Sequence, residues 1–132
     1  MITKVHHIGI AVNSLEDGLR FYRDALGLSV SRIAELPQDG VRVAFLPLGE
    51  VLLELLEPLG PDTPVGRFLA RRGEGVHHVA LATDGISEEM EVLRARQVEL
   101  VDEQARPGAE GLVCFLHPRA AAGVLVELVQ EE

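Results

Sequence analysis

The chain has 132 residues, 47% of them hydrophobic and 25% charged, a balance that suits one globular domain with a real core and excludes disordered and fibrous classes. Its formal net charge of -9, with no extended Lys/Arg block, excludes long-range attraction to nucleic acid or to an anionic membrane surface. No apolar run approaches the about 20 residues of a membrane helix, and "MITKV" leads straight into a strand pattern without signal-peptide organisation, so a cytoplasmic protein is expected.

The first strand pattern, "VHHIGIAVN" at 5–13, returns as "VHHVALATD" at 76–84, 71 residues later. Behind it, "NSLEDGLRFYRDALGL" places Leu15, Leu19, Tyr22 and Leu26 at helical spacing, with Asn13 or Ser14 as N-cap and Gly27 just past the end. Three strand-like runs follow, "LSVSRIAEL", "GVRVAFLPL" and "EVLLELLEP".

Residues 58–75 then form a Pro/Gly-rich linker with one short helix, capped by Thr63, opened by Pro64 and stopped by Gly73. After the second His-His strand, "DGISEEMEVLRARQV" sets Ile86, Met90 and Leu93 on one face and acidic residues in its first turn, where the helix dipole favours them. The runs "VELVDEQ", "GLVCFLHPR" and "GVLVELVQ" repeat the three strands. The single Cys114 lies in an apolar run, so no internal disulfide forms and it reads as a small buried hydrophobe.

The offset between copies holds at 71 from Val5/Val76 through Gly40/Gly111 and reaches 73 at Glu54/Glu127, an insertion placed around Ala121–Ala122. The expectation is an α+β fold of two tandem βαβββ modules, residues 1–57 and 76–132, related by a pseudo-twofold axis and forming a curved mixed-sheet cleft.

Side chains alternate faces along a strand. Ile8, Ile10 and Val12 make one apolar face that should pack on the helix, which leaves His7, Gly9 and Ala11 on the other; in the copy, Val79 and Leu81 oppose His78, Ala80 and Ala82. His6 and His77 have the opposite parity and read as structural. Glu54 interrupts "VLLELL" and Glu127 interrupts "VLVELV" at equivalent places in the repeat. An unpaired buried carboxylate is costly, so it protonates or finds a cation. Two imidazoles and two carboxylates suit a divalent first-row metal with positions left open, which makes His7, Glu54, His78 and Glu127 the expected ligands. Such a set suits Co²⁺, Ni²⁺, Zn²⁺ or Mn²⁺, and the donors alone do not choose among them.

Over essentially its whole length the chain resembles the vicinal oxygen chelate (glyoxalase/bleomycin resistance) superfamily, and within it the methylmalonyl-CoA epimerase family. The stretches that carry the likeness are "VHHIGIAVNSLEDGLRFYRDALGL", "GVRVAFLPLGE", "LELLEPLGPDTPVGRFLARRGEGVHHVA", "RPGAEG" and "FLHPRAAAGVLVELVQ". The resemblance implies the same four metal ligands, an acyl-CoA substrate, a homodimer, and a reaction in which a proton leaves and returns at the carbon between a thioester and a carboxylate. It implies Glu127 as one base. For the second, some members of the family carry Glu where this chain has Val43, which leaves Asp39, in the turn sequence "PQDG", as a weak alternative.

Where the family usually shows Lys, this chain has Arg119, which together with His117 could line the substrate mouth. Competing readings are glyoxalase I, which presents a similar ligand set, and a non-catalytic small-molecule-binding module of the same fold. An extradiol dioxygenase is disfavoured because the fourth ligand, Glu54, fills a position that oxygen and a catechol would need.

Overall fold

The computed structural model describes all residues from Met1 to Glu132. In chain order the elements are β1 (Ile2–Ala11), α1 (Leu15–Leu19) continued by a π-helix over Arg20–Ala25, β2 (Arg32–Leu36), β3 (Val41–Leu48), β4 (Val51–Pro58), α2 (Pro64–Arg72), β5 (Gly75–Thr83), α3 (Ile86–Ala95), β6 (Arg106–Pro107), β7 (Gly111–Leu116), a 3-10 turn at Pro118–Ala121 and β8 (Val126–Glu131). This is the expected α+β class, with βαβββ written twice. No helix is long and apolar enough to cross a membrane.

The chain divides into two compact units, His7–His77 on one hand and Met1–His6 with His78–Glu132 on the other. In the first, the strands run in the order β2-β3-β4-β1, with β1 parallel to β4 and the other pairs antiparallel. In the second the order is β5-β8-β7-β6, with β5 parallel to β8 and the other pairs antiparallel. The two orders follow one plan.

Period-two alternation sorts the first unit into two apolar layers. Val12, Ala44, Leu46 and Leu55 pack with Leu15 and Leu19 of α1 and with partly buried Ile10. On the opposite sheet face, Ala11, Val41, Val43, Phe45 and Leu56 pack with Val65 and Phe68 of α2. The space that small Ala11 leaves is therefore filled by the linker helix. The second unit repeats the sorting, with Ile86 and Met90 of α3 on Cys114 and Leu128, and Ala80, Val113 and Val129 on the reverse face.

Local chemistry sets the ends of the helices. Ser14, not Asn13, caps α1 by accepting the Asp17 N–H at 3.3 Å, while the Asn13 N–H donates to Glu74 at 2.9 Å. Thr63 caps α2 through the Gly66 N–H at 3.0 Å, and Gly73 ends it at φ +76°.

Three details depart from the sequence reading. From Arg20 the first helix widens to π geometry, the Leu26 N–H reaching back to the Phe21 carbonyl at 2.9 Å; the wider turn shifts the register, so Leu26 lies 53% exposed instead of on the core face. The run "VELVDEQ" supplies only an isolated bridge, Leu100 to Leu116, and the edge strand forms further on, at Arg106–Pro107. In the ladders Phe45 faces Glu54 and Phe115 faces Glu127, so β3 and β7 correspond at an offset of 70, and Gly111 matches Val41 instead of Gly40.

Two substitutions probe this packing. Leu55→Ala removes a fully buried side chain and is expected to cost about 2–5 kcal/mol in urea unfolding. Gly111→Ala should also destabilise, because φ is +145° there and an added Cβ would strike the Gln130 carbonyl oxygen.

Candidate metal centre

Each unit sets one histidine and one glutamate on the face turned away from its main helix. In the first, His7 lies on β1 and Glu54 on β4, where Glu54 is the register partner of Gly9; His7 Nδ1 stands 3.4 Å from Glu54 Oε2. In the second, His78 lies on β5 and Glu127 on β8, where Glu127 is the register partner of Ala80; His78 Nε2 stands 3.1 Å from Glu127 Oε1. All four are buried, with 3%, 7%, 6% and 7% of their surface exposed.

The donor set fits a divalent ion on two counts. Each unit offers one imidazole and one carboxylate, donors that suit such an ion and whose charge it would offset. The spacing inside each pair fits as well. Two ligands about 2.1 Å from one ion stand about 3.0 Å apart at a right angle and about 3.4 Å apart at the tetrahedral angle.

A phenylalanine backs each glutamate from the neighbouring strand. Phe45 faces Glu54 with the Arg32 guanidinium 4.6 Å from its ring centroid, and Phe115 faces Glu127 with the Arg106 guanidinium at 5.7 Å. The sequence reading missed these residues, although the dipeptide Phe-Leu at 45–46 and 115–116 carried the signal.

The remaining expected residues make contacts of their own. His6 is buried with Nε2 at 3.6 Å from Glu131 Oε2, and the His77 ring meets the edge of Phe68 at 5.0 Å, both consistent with structural roles. Asp39 sits in the β2–β3 turn, its N–H donating to Leu36 at 3.0 Å. Val43 is buried at 1% exposure and packs against the α2 side chains, so that position brings methyl groups and no base. Arg119 holds both Glu99 carboxylate oxygens at 2.9 Å, and His117 Nδ1 accepts the Arg119 N–H at 3.1 Å.

Against known proteins, residues 6–115 match the model of the Glyoxalase/Bleomycin resistance protein/Dioxygenase superfamily. The chain belongs to that superfamily. It is 43% identical over 129 residues to the mitochondrial methylmalonyl-CoA epimerase of Mus musculus, covering 96% of this chain and 72% of that protein. A solved hypothetical protein from Bacillus halodurans superposes with a TM-score of 0.95 at 42% identity, covering 98% of this chain and 94% of that one. A Streptomyces coelicolor methylmalonyl-CoA epimerase variant in complex with 2-nitronate-propionyl-CoA gives 0.94 at 37% identity, covering 99% of each. The resemblance read from the sequence is thus borne out at the level of superfamily and fold, with methylmalonyl-CoA epimerases among the similar proteins.

Cys114 lies outside this chemistry. It is fully buried beneath α3, and desolvation, with Asp102 and Glu127 adding negative charge, raises its thiol pKa to about 11. The folded value lies above the unfolded one, so the thiol's contribution is intact below about pH 8.5 and is lost as pH rises toward 11. A thiol reagent should leave the native protein unlabelled at neutral pH and label it once in denaturant. Cys114→Ala should lose less stability than the parent on raising pH from 9 to 11.

Proposed function

We propose that the chain is a metal-dependent methylmalonyl-CoA epimerase, acting as a cytoplasmic homodimer, with His7, Glu54, His78 and Glu127 as metal ligands. The observation that carries the reading is the pair of buried His–Glu contacts, His7–Glu54 and His78–Glu127, at equivalent positions of a duplicated module. The similarity to epimerases at 43% and 37% identity over nearly the full chain supports the choice of substrate.

When bound, the divalent ion supplies positive charge to the two substrate oxygens that become electron-rich as the α-proton leaves. The strands hold the histidines and carboxylates in a dry apolar layer, which keeps bulk water from quenching that charge. Glu127 takes the proton from the α-carbon on one face, and the C–H electron pair moves into the thioester enolate. Reprotonation from the opposite face completes the inversion. With Val43 in the core, Asp39 is the candidate for that second proton.

Arg119 and His117 are the proposed contacts for anionic groups of the acyl-CoA. A substrate phosphate must then compete with Glu99 for the Arg119 guanidinium, since both carboxylate oxygens hold it at 2.9 Å. Cobalt is the preferred ion, and Ni²⁺, Zn²⁺ and Mn²⁺ share the donor preference.

Proton NMR in D₂O with Co²⁺-loaded protein and methylmalonyl-CoA tests the reaction. Loss of the α-proton signal that EDTA abolishes is expected; no exchange with metal bound would refute the epimerase assignment and direct the search to a glutathione hemithioacetal as substrate. His78→Ala should lose its metal by elemental analysis, and stoichiometric retention would remove His78 from the ligand set. A Glu127→Gln protein that keeps its metal should lose exchange at least about 100-fold if Glu127 moves the proton.

A further inference from the structure

The two units support their phenylalanines by different means. In the first, Phe45 is held in an ordinary ladder, paired with Arg32 of β2, and its carbonyl accepts the Ser31 N–H at 2.8 Å. In the second, the Phe115 carbonyl likewise accepts the Val101 N–H at 2.8 Å, but the strand that should continue the ladder is missing. The Phe115 N–H donates to Asp102 Oδ2 at 2.7 Å instead. A side-chain carboxylate stands where the first unit uses strand pairing.

Asp102 also reaches the ring. Its Oδ1 lies 3.4 Å from Arg106 Nε, and the Arg106 guanidinium lies 5.7 Å from the Phe115 ring centroid. The Phe115 ring meets the His78 imidazole edge-on, with centroids 5.9 Å apart and planes at 79°. His78 in turn faces Glu127 at 3.1 Å, and Glu127 is the register partner of Phe115. Asp102 lies in the loop after α3, 13 residues before Phe115 and 24 after His78, so only the tertiary structure joins them.

We propose that Asp102 is a positioning residue of the metal centre: its carboxylate fixes the Phe115 backbone directly and the Phe115 ring through Arg106, and that ring sets the plane of the His78 imidazole. A ligating imidazole must aim its lone pair at the ion, so loss of such outer support lowers metal affinity, typically about 10- to 100-fold. The proposal rests on the metal reading above only for its effect on affinity. The ring-to-ring support exists without metal.

The test compares the full chain with Asp102→Ala, Asp102→Asn and Phe115→Leu by Co²⁺ titration followed in the visible spectrum, together with nuclear Overhauser contacts between the Phe115 and His78 rings in metal-free protein. Asp102→Ala and Phe115→Leu are expected to bind Co²⁺ about 10- to 100-fold more weakly with an altered absorption band. Asp102→Asn, which keeps an oxygen to accept the Phe115 N–H, should fall closer to the parent, and Asp102→Ala should lose the ring-to-ring contact. Parental affinity, band and contact in Asp102→Ala, even with a lowered melting temperature, would overturn the proposal and leave Asp102 a purely structural residue. If Asp102→Ala does not fold, Phe115→Leu and Asp102→Asn decide by the same readouts. Failure of the parent protein to bind Co²⁺ would refute the metal reading instead, and the metal-free ring contact would then judge the role of Asp102 alone.

Discussion

Burying a carboxylate in an apolar strand costs several kcal/mol unless something compensates its charge, by about the amounts that normally force such groups to protonate or pair. This chain does so twice, at Glu54 within β4 and at Glu127 near the start of β8, each flanked by aliphatic residues. The surrounding design answers that cost. Each glutamate has a histidine within 3.4 Å, a phenylalanine across the ladder, and an arginine over the phenylalanine ring. A cation held by such donors, as proposed above, would remove the remaining charge.

The duplication places the same four-part arrangement in both units but does not build it identically. In the first unit a five-residue β2 and the linker helix α2 enclose the face, with Val65 and Phe68 over Ala11, Val43 and Phe45. In the second, β6 is only two residues long, no linker helix covers the face, and the loop after α3 contributes Asp102 as a substitute for strand pairing. The second face therefore relies on a side-chain hydrogen bond where the first uses strand pairing. It is also the face that carries Glu127, the proposed proton carrier.

Packing and family likeness part at Val43. A core valine at 1% exposure, packed against α2, is a sound way to stabilise the first unit, and a carboxylate there would have to be desolvated against Phe68 and Leu56. The position thus exchanges a possible proton carrier for packing. Arg119 shows a parallel economy at the surface, where Glu99 occupies the guanidinium with both carboxylate oxygens. An exposed pair of this kind contributes little to stability, so an anionic ligand can displace it at small cost.

Much of this was legible in the sequence, because it rests on short-range periodicity. Alternation along β1 and β5 places His7 and His78 away from the helix face, and the duplicated Glu positions single out Glu54 and Glu127. The Thr63 cap and the stop at Gly73 are likewise local features that the chain states directly, whereas the choice of Ser14 over Asn13 fell to the structure. The tertiary structure alone decided the π turn that exposes Leu26, the retreat of the edge strand from "VELVDEQ" to Arg106–Pro107, and the one-residue change of register between β3 and β7. It also joined Asp102 to His78 through Phe115. Periodicity records which face a residue takes, whereas register, ring contacts and substituted hydrogen bonds depend on how distant segments meet, and no local pattern encodes that meeting.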